Sequence, residues 1–140
     1  MNPFSQETTD RQTILVIDDM PDFLKVLSKQ LEHWGYRVLK ATTGEKGLEI
    51  ALAEHPHLIL LDILMPQMKG RELCKLLKTD PKTQDIPVIF LTALGMSEHV
   101  KVGMGLGAED YIIKPFRPED FRERIRVCLL RYARSGSPPK

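Results

Sequence analysis

Cysteine is nearly absent: two residues in 140, Cys74 and Cys128, too far apart to form a CxxC pair. That excludes a disulfide framework and a thiolate metal knuckle, and two reduced thiols in helical segments are the expectation. No apolar run approaches the roughly 18 residues of a membrane span. Neither charge sign is in excess. The 20 Lys and Arg against 19 Asp and Glu leave a net +1, so no bulk field draws the chain to nucleic acid or an anionic membrane. The opening MNPFSQETTDRQ has no apolar core of the signal-peptide kind. Four histidines, His33, His55, His57 and His99, are scattered, and read as surface residues that form neither a relay nor a metal set. Gly103, Gly105 and Gly107 lack the spacing and the preceding strand of a phosphate-binding loop. The expectation is a soluble cytoplasmic protein with no membrane segment and no direct nucleic-acid contact.

What is present is an ordinary globular composition, 42% hydrophobic and 28% charged, at a length that suits one domain. Such a chain can bury a core without staples. TILVID (13–18) is a short β-branched strand. Residues 21–34 repeat Phe23, Leu24, Leu27, Leu31 and Trp34 at helical spacing, with Pro21 suited to the first turn and Gly35 to the stop. YRVLKA (36–41) reads as a strand, and Thr43 as the cap of a helix over 44–54 with Leu48, Ala51 and Leu52 inward. HLILLD (57–62) is a third strand, followed by a helix over 71–79 with Leu73, Leu76 and Leu77 inward. IPVIFLT (86–92) and DYIIK (110–114) are further strands. Segment 97–106 is helix-like but weak, because each interior glycine costs about 0.5–1 kcal/mol relative to alanine. The last helix, 118–133, carries Phe121, Ile125, Cys128, Leu129 and Tyr132 on one stripe.

Five β–α units in series imply an α/β fold: an open five-stranded parallel sheet with right-handed crossovers and helices on both faces, doubly wound. Strands one, three, four and five look apolar on both faces, as covered parallel strands must be. A site in such a sheet lies outside the carboxyl ends of its strands.

Those ends carry the chemistry. Strand one ends in Asp18 and Asp19, strand three in Asp62, strand four in Thr92 and strand five in Lys114. A buried charge is costly unless paired or bound to a metal, so a carboxylate closing the apolar run LILLD needs a reason. Three carboxylates at one edge repel one another, and a divalent cation is their natural counter-ion. Oxygen ligands without His or Cys favour Mg²⁺ or Mn²⁺ over zinc. Lys114 and Thr92 then suit an anion that also touches the metal, and a phosphoryl group fits best. Asp62 can serve as nucleophile and give an aspartyl phosphate.

Taken together, VIDDMPD, LLDILMPQMKG, FLTAL and GAEDYIIKPF make the chain resemble a response-regulator receiver domain, the phospho-accepting half of two-component signalling. The match runs from about Thr13 to Tyr132. The resemblance implies a flavodoxin-like (βα)5 fold and assigns roles. Asp62 accepts the phosphoryl group, and Asp18, Asp19 and Asp62 hold Mg²⁺ with the backbone carbonyl of Leu64. Thr92 moves to bond the phosphoryl oxygen, Tyr111 swings inward with it, and Lys114 pairs with Asp62 and later with the phosphoryl group. Lys114–Pro115 matches a cis peptide bond. Gly70 lets the loop after Met68 turn. A histidine kinase or phosphotransfer protein is the implied donor. Output passes through the face made by segment 97–106 and strand 110–114, to a downstream protein partner or a fused output domain. The chain is then no enzyme beyond its own phosphorylation and slow dephosphorylation.

Some positions depart from the family pattern. Leu64 and Leu94 stand where polar side chains often orient the hydrolytic water, which predicts slow self-dephosphorylation. Val102 and Leu106 project away from Met104, which predicts a soft apolar partner face. Asp110, Asp120, Arg124 and Arg131 match positions used for dimer salt bridges in winged-helix relatives, but Val100 and Val102 replace the expected basic residues, which disfavours that dimer.

Residues 1–12 read as a flexible lead-in, 13–133 as the domain and 134–140 as a linker-like tail. A stand-alone switch and a receiver cut from a multidomain regulator or hybrid kinase both remain open. A Mg²⁺-dependent phosphohydrolase would want an acid at Leu64. A flavin or nucleotide binder would want a phosphate loop where the acid pair stands.

Overall fold

The computed structural model describes residues 11–63, 70–93 and 107–134, with Thr92, Ala93, Ala133 and Arg134 described by backbone alone. The readings made above for most of the lead-in, Leu64, Met68, Leu94, segment 97–106 and most of the tail lie outside these residues.

The elements run β1 (Thr13–Ile17), α1 (Pro21–His33), β2 (Arg37–Ala41), α2 (Gly44–Glu54), β3 (Leu58–Asp62), α3 (Gly70–Thr79), β4 (Val88–Ala93), β5 (Asp110–Lys114) and α4 (Pro118–Arg134). Local chemistry sets several boundaries. Pro21 opens α1, where its missing N–H costs nothing. Gly35 follows α1 at φ +99°, a conformation costly for any side chain. Thr43 caps α2 by accepting from the Lys46 N–H at 3.1 Å. His55 ends α2 at φ 47°, a left-handed turn that no glycine marked in advance.

All strands pair in parallel, in the order β2-β1-β3-β4-β5. Strand order reverses at β1, whose two neighbours are β2 and β3. In open α/β sheets the crevice at such a reversal is where ligands sit. In register, Ile17 faces Leu61, so Asp18 falls level with Asp62 across the crevice.

Two apolar cores lie on the two faces of the sheet. Ile14, Val16, Leu60 and Ile89 pack with Leu24, Leu27 and Leu31 of α1 and Phe121, Ile125 and Cys128 of α4. Leu15, Ile17, Leu61 and Phe90 pack with Ala51 of α2 and Leu73, Cys74 and Leu77 of α3. The expected helices on both faces are therefore present. Both cysteines are buried and neither forms a disulfide.

Three inward assignments need correction. Leu52 and Leu76 are exposed. On α3 the buried set is Gly70, Leu73, Cys74 and Leu77, the i, i+3, i+4, i+7 stripe, and Leu76 sits one residue, about 100°, off it. On α2 the same offset separates Leu52 from buried Ala51. Ile113 is also exposed, because β5 is an edge strand rather than one covered on both faces.

Candidate functional site

Three strand ends deliver the site. β1 runs apolar to Ile17 and releases Asp18 and Asp19; β3 ends on Asp62; β5 ends on Lys114. Asp18, Asp19 and Asp62 each present a carboxylate oxygen, all within 4.8 Å of one another. Asp18 is 0% exposed and Asp62 8%. The Lys114 ammonium donates to Asp18 Oδ2 at 3.1 Å and stands 3.9 Å from Asp62 Oδ2. Its side chain is only 17% exposed, so water screens these attractions weakly.

Asp18 has a second task. Its Oδ1 accepts the Met20 N–H at 2.9 Å, fixing the turn into α1, whose N-cap Met20 has no capping side chain. This is an Asx-type turn ahead of the helix rather than a cap, since it engages the N–H of the N-cap residue itself.

Gly70 closes the other wall. A Cβ there would lie 2.4 Å from the Asp62 carbonyl oxygen and 2.6 Å from Ile63 Cα. Only glycine lets α3 start this close to the end of β3, and the Gly70 N–H donates to the Ile63 carbonyl at 3.1 Å.

Thr92 is placed in β4 by its backbone, paired with Ile113. Tyr111 points inward against the core, its ring 5.7 Å from that of Phe90. Among the described residues its buried hydroxyl finds no hydrogen-bond partner, and burial pushes its pKa up while the nearby Arg71 opposes this. The Lys114–Pro115 bond is cis.

Several features escaped the sequence. The Phe23 ring lies under the Lys114 ammonium, 4.2 Å from centroid to nitrogen. Its one signal was a position in the first turn after the acid pair, where it read as ordinary helix core. Arg124, read as a candidate for contacts between chains, is engaged within this one: its guanidinium bonds both Asp110 carboxylate oxygens at 2.9 and 3.0 Å and Asp120 at 3.3 Å. Arg131 reaches Glu109 at 3.5 Å. His57 is exposed, as expected, yet its Nδ1 accepts the Thr13 N–H at 3.0 Å. His55 pairs with Asp85 at 3.2 Å. Burial raises the thiols of Cys74 to about 11 and Cys128 to about 12, so neither is a nucleophile at neutral pH.

The donor set suits a hard divalent cation. Among the described residues three carboxylates face one ammonium, leaving negative charge in excess, and every candidate ligand is oxygen. These residues fit Mg²⁺.

An open parallel sheet with acids at its switch point and a lysine on the neighbouring strand end defines a class, and the sequence comparison agrees with it. The response regulator receiver domain model matches residues 14–126, and the chain belongs to that family of two-component signalling proteins. It is 41% identical over 127 residues to a probable transcriptional regulator, ycf27, of Porphyridium aerugineum, covering 91% of this chain and 52% of that protein. It is 42% identical over 118 residues to the DNA-binding dual master transcriptional regulator RpaA of Synechocystis, covering 84% and 49%. The chain thus spans about half the length of these curated relatives. A CheY-like response regulator receiver domain protein from Methanospirillum hungatei superposes with a TM-score of 0.85 at 31% identity, covering 91% of this chain and all of that one. Among the described residues, no helix is long and apolar enough to cross a membrane.

Proposed function

We propose that the chain is a phosphorylation-activated switch whose acceptor is Asp62. The observation that carries this reading is the convergence of Asp18, Asp19 and Asp62 within 4.8 Å, with Lys114 bridging toward two of them. An Asp62 oxygen forms the new O–P bond while the P–N bond to a phosphohistidine donor breaks, its electron pair returning to the imidazole. The donor is a histidine kinase or histidine phosphotransfer protein.

Asp18, Asp19 and Asp62, with the Leu64 backbone carbonyl, would hold Mg²⁺, or Mn²⁺ in its place. When bound, the cation supplies positive charge against the phosphoryl oxygens. Lys114 adds a second positive charge from the opposite side. Thr92 and Tyr111 carry the change to the face around β5 and segment 97–106. Leu64 and Leu94 offer no hydrogen bond to a hydrolytic water, so the phosphoryl group persists and the chain catalyses little beyond its own modification. The unit spans residues 13–133 and works in the cytoplasm.

Output is by docking to a protein partner or through a fused output domain. The fused reading is favoured by relatives about twice as long, one of them named as DNA-binding. Nucleic-acid contact would then belong to that domain and not to the residues described here. A phosphohydrolase reading lacks a general acid at Leu64.

The test is intact mass after incubation with acetyl phosphate and Mg²⁺. One phosphoryl-sized gain is expected in the wild type, lost in Asp62→Asn and in EDTA. An equal gain in Asp62→Asn would move the acceptor elsewhere.

A further inference from the structure

The Lys114 ammonium has three N–H donors. One goes to Asp18 at 3.1 Å, while Asp62, at 3.9 Å, lies beyond hydrogen-bond length. On another side stands the face of Phe23, its centroid 4.2 Å away. That is well inside the roughly 6 Å over which a ring's quadrupole attracts a cation. With the lysine only 17% exposed, the attraction is little weakened by water.

The ring is itself held. Phe116 meets Phe23 edge-on, at 6.4 Å and 74°, and stacks on Phe121, at 4.5 Å and 27°. Phe121 is fully buried in α4. Phe116 also follows Lys114 by two residues in the chain. One aromatic wedge therefore fixes both the lysine's backbone and the ring beneath its charge.

We propose that Phe23 is the positioning residue of Lys114. The ring attracts the ammonium without occupying a carboxylate oxygen. It keeps the charge poised between Asp18 and Asp62, where an incoming phosphoryl group would meet it. An aliphatic side chain would pack against the lysine stem but not hold its charge. The inference rests on the reading of Asp62 as phosphoryl acceptor.

The test uses the full chain and the variants Phe23→Leu, Phe23→Met and Phe23→Tyr. Proton NMR of the Lys114 ε-methylene comes first, with no phosphoryl donor present. An upfield ring-current shift is expected in the wild type and Phe23→Tyr and is lost in Phe23→Leu and Phe23→Met. Phosphoryl uptake from acetyl phosphate at saturating Mg²⁺ should then fall roughly three- to thirtyfold in Phe23→Leu, the span of cation–π strengths. Phe23→Tyr should stay within about twofold of wild type, and Mg²⁺ affinity by calorimetry should hold in all, since the ring touches the lysine and not the cation site. Phe23→Met serves in place of Phe23→Leu if that variant fails to fold. Wild-type uptake in Phe23→Leu, or equal loss in Phe23→Tyr, overturns the proposal, as does an unshifted Lys114 resonance in the wild type. A shifted resonance with no uptake in any chain overturns the Asp62 reading and leaves the contact itself established.

Discussion

At the scale of single residues, the buried carboxylate of Asp18 is tolerated because both of its oxygens have partners. Asp18 is sealed from water, yet one of its oxygens meets a backbone N–H and the other an ammonium. His57, though exposed, is also tied down, at the opposite end of β1. Its backbone N–H donates to the Thr13 carbonyl at 2.8 Å, and its ring Nδ1 accepts the Thr13 N–H, which requires that nitrogen to be unprotonated, so the neutral ring is the form that pairs. Burial, and then the neighbouring His55, lower its pKa below the ordinary 6.5. A base whose folded-state pKa is depressed stabilises the fold fully above its unfolded pKa, and that stability is lost as pH falls through this value toward the folded one. The urea midpoint should therefore drop between about pH 7.5 and about pH 5.5, and the drop should shrink in His57→Asn, which keeps an acceptor but does not titrate. An unchanged drop in the variant would remove His57 from the explanation.

At the scale of elements, periodicity was readable where one residue type dominated a face. The stripe Phe121, Ile125, Cys128, Leu129 and Tyr132 of α4 is buried or packed on the core as its spacing predicts. So are the caps at Pro21 and Thr43, because capping is decided within four residues. Adjacent leucines were harder. Leu76 and Leu77 are chemically equal, and only the sheet beneath α3 chooses between them. Leu77→Ala should cost about 2–5 kcal/mol in denaturant unfolding, as buried leucines do. Leu76→Ala should stay within about 0.5 kcal/mol, as surface changes do. Equal costs would contradict the orientation of α3. The exposure of Ile113 was hidden for another reason: strand order is a long-range property, and DYIIK looks the same at an edge as in a centre. Of the site, the charged members were legible because each closes an apolar strand. Phe23 was not, since a helical phenylalanine beside Leu24 and Leu27 reads as core.

At the scale of the whole molecule, the fold concentrates repulsion at one edge. Among the described residues, three carboxylates share a crevice with one ammonium, and a cation bound there stabilises the folded state by mass action. Mg²⁺ at ten times its dissociation constant should add about 1.4 kcal/mol to unfolding. In Asp19→Asn the metal-free protein should melt higher than wild type, and most of the Mg²⁺-dependent rise should vanish. A full rise in that variant would place the cation elsewhere.

The central claim is that Asp62 ends β3 in order to react. Its most direct test is chemical. The phosphorylated protein is reduced with borohydride, which converts an acyl phosphate to an alcohol, and digested for tandem mass spectrometry. The account predicts homoserine at position 62 and nowhere else. Homoserine at position 18 or 19, or phosphate retained on a hydroxyl or imidazole after reduction, would contradict it.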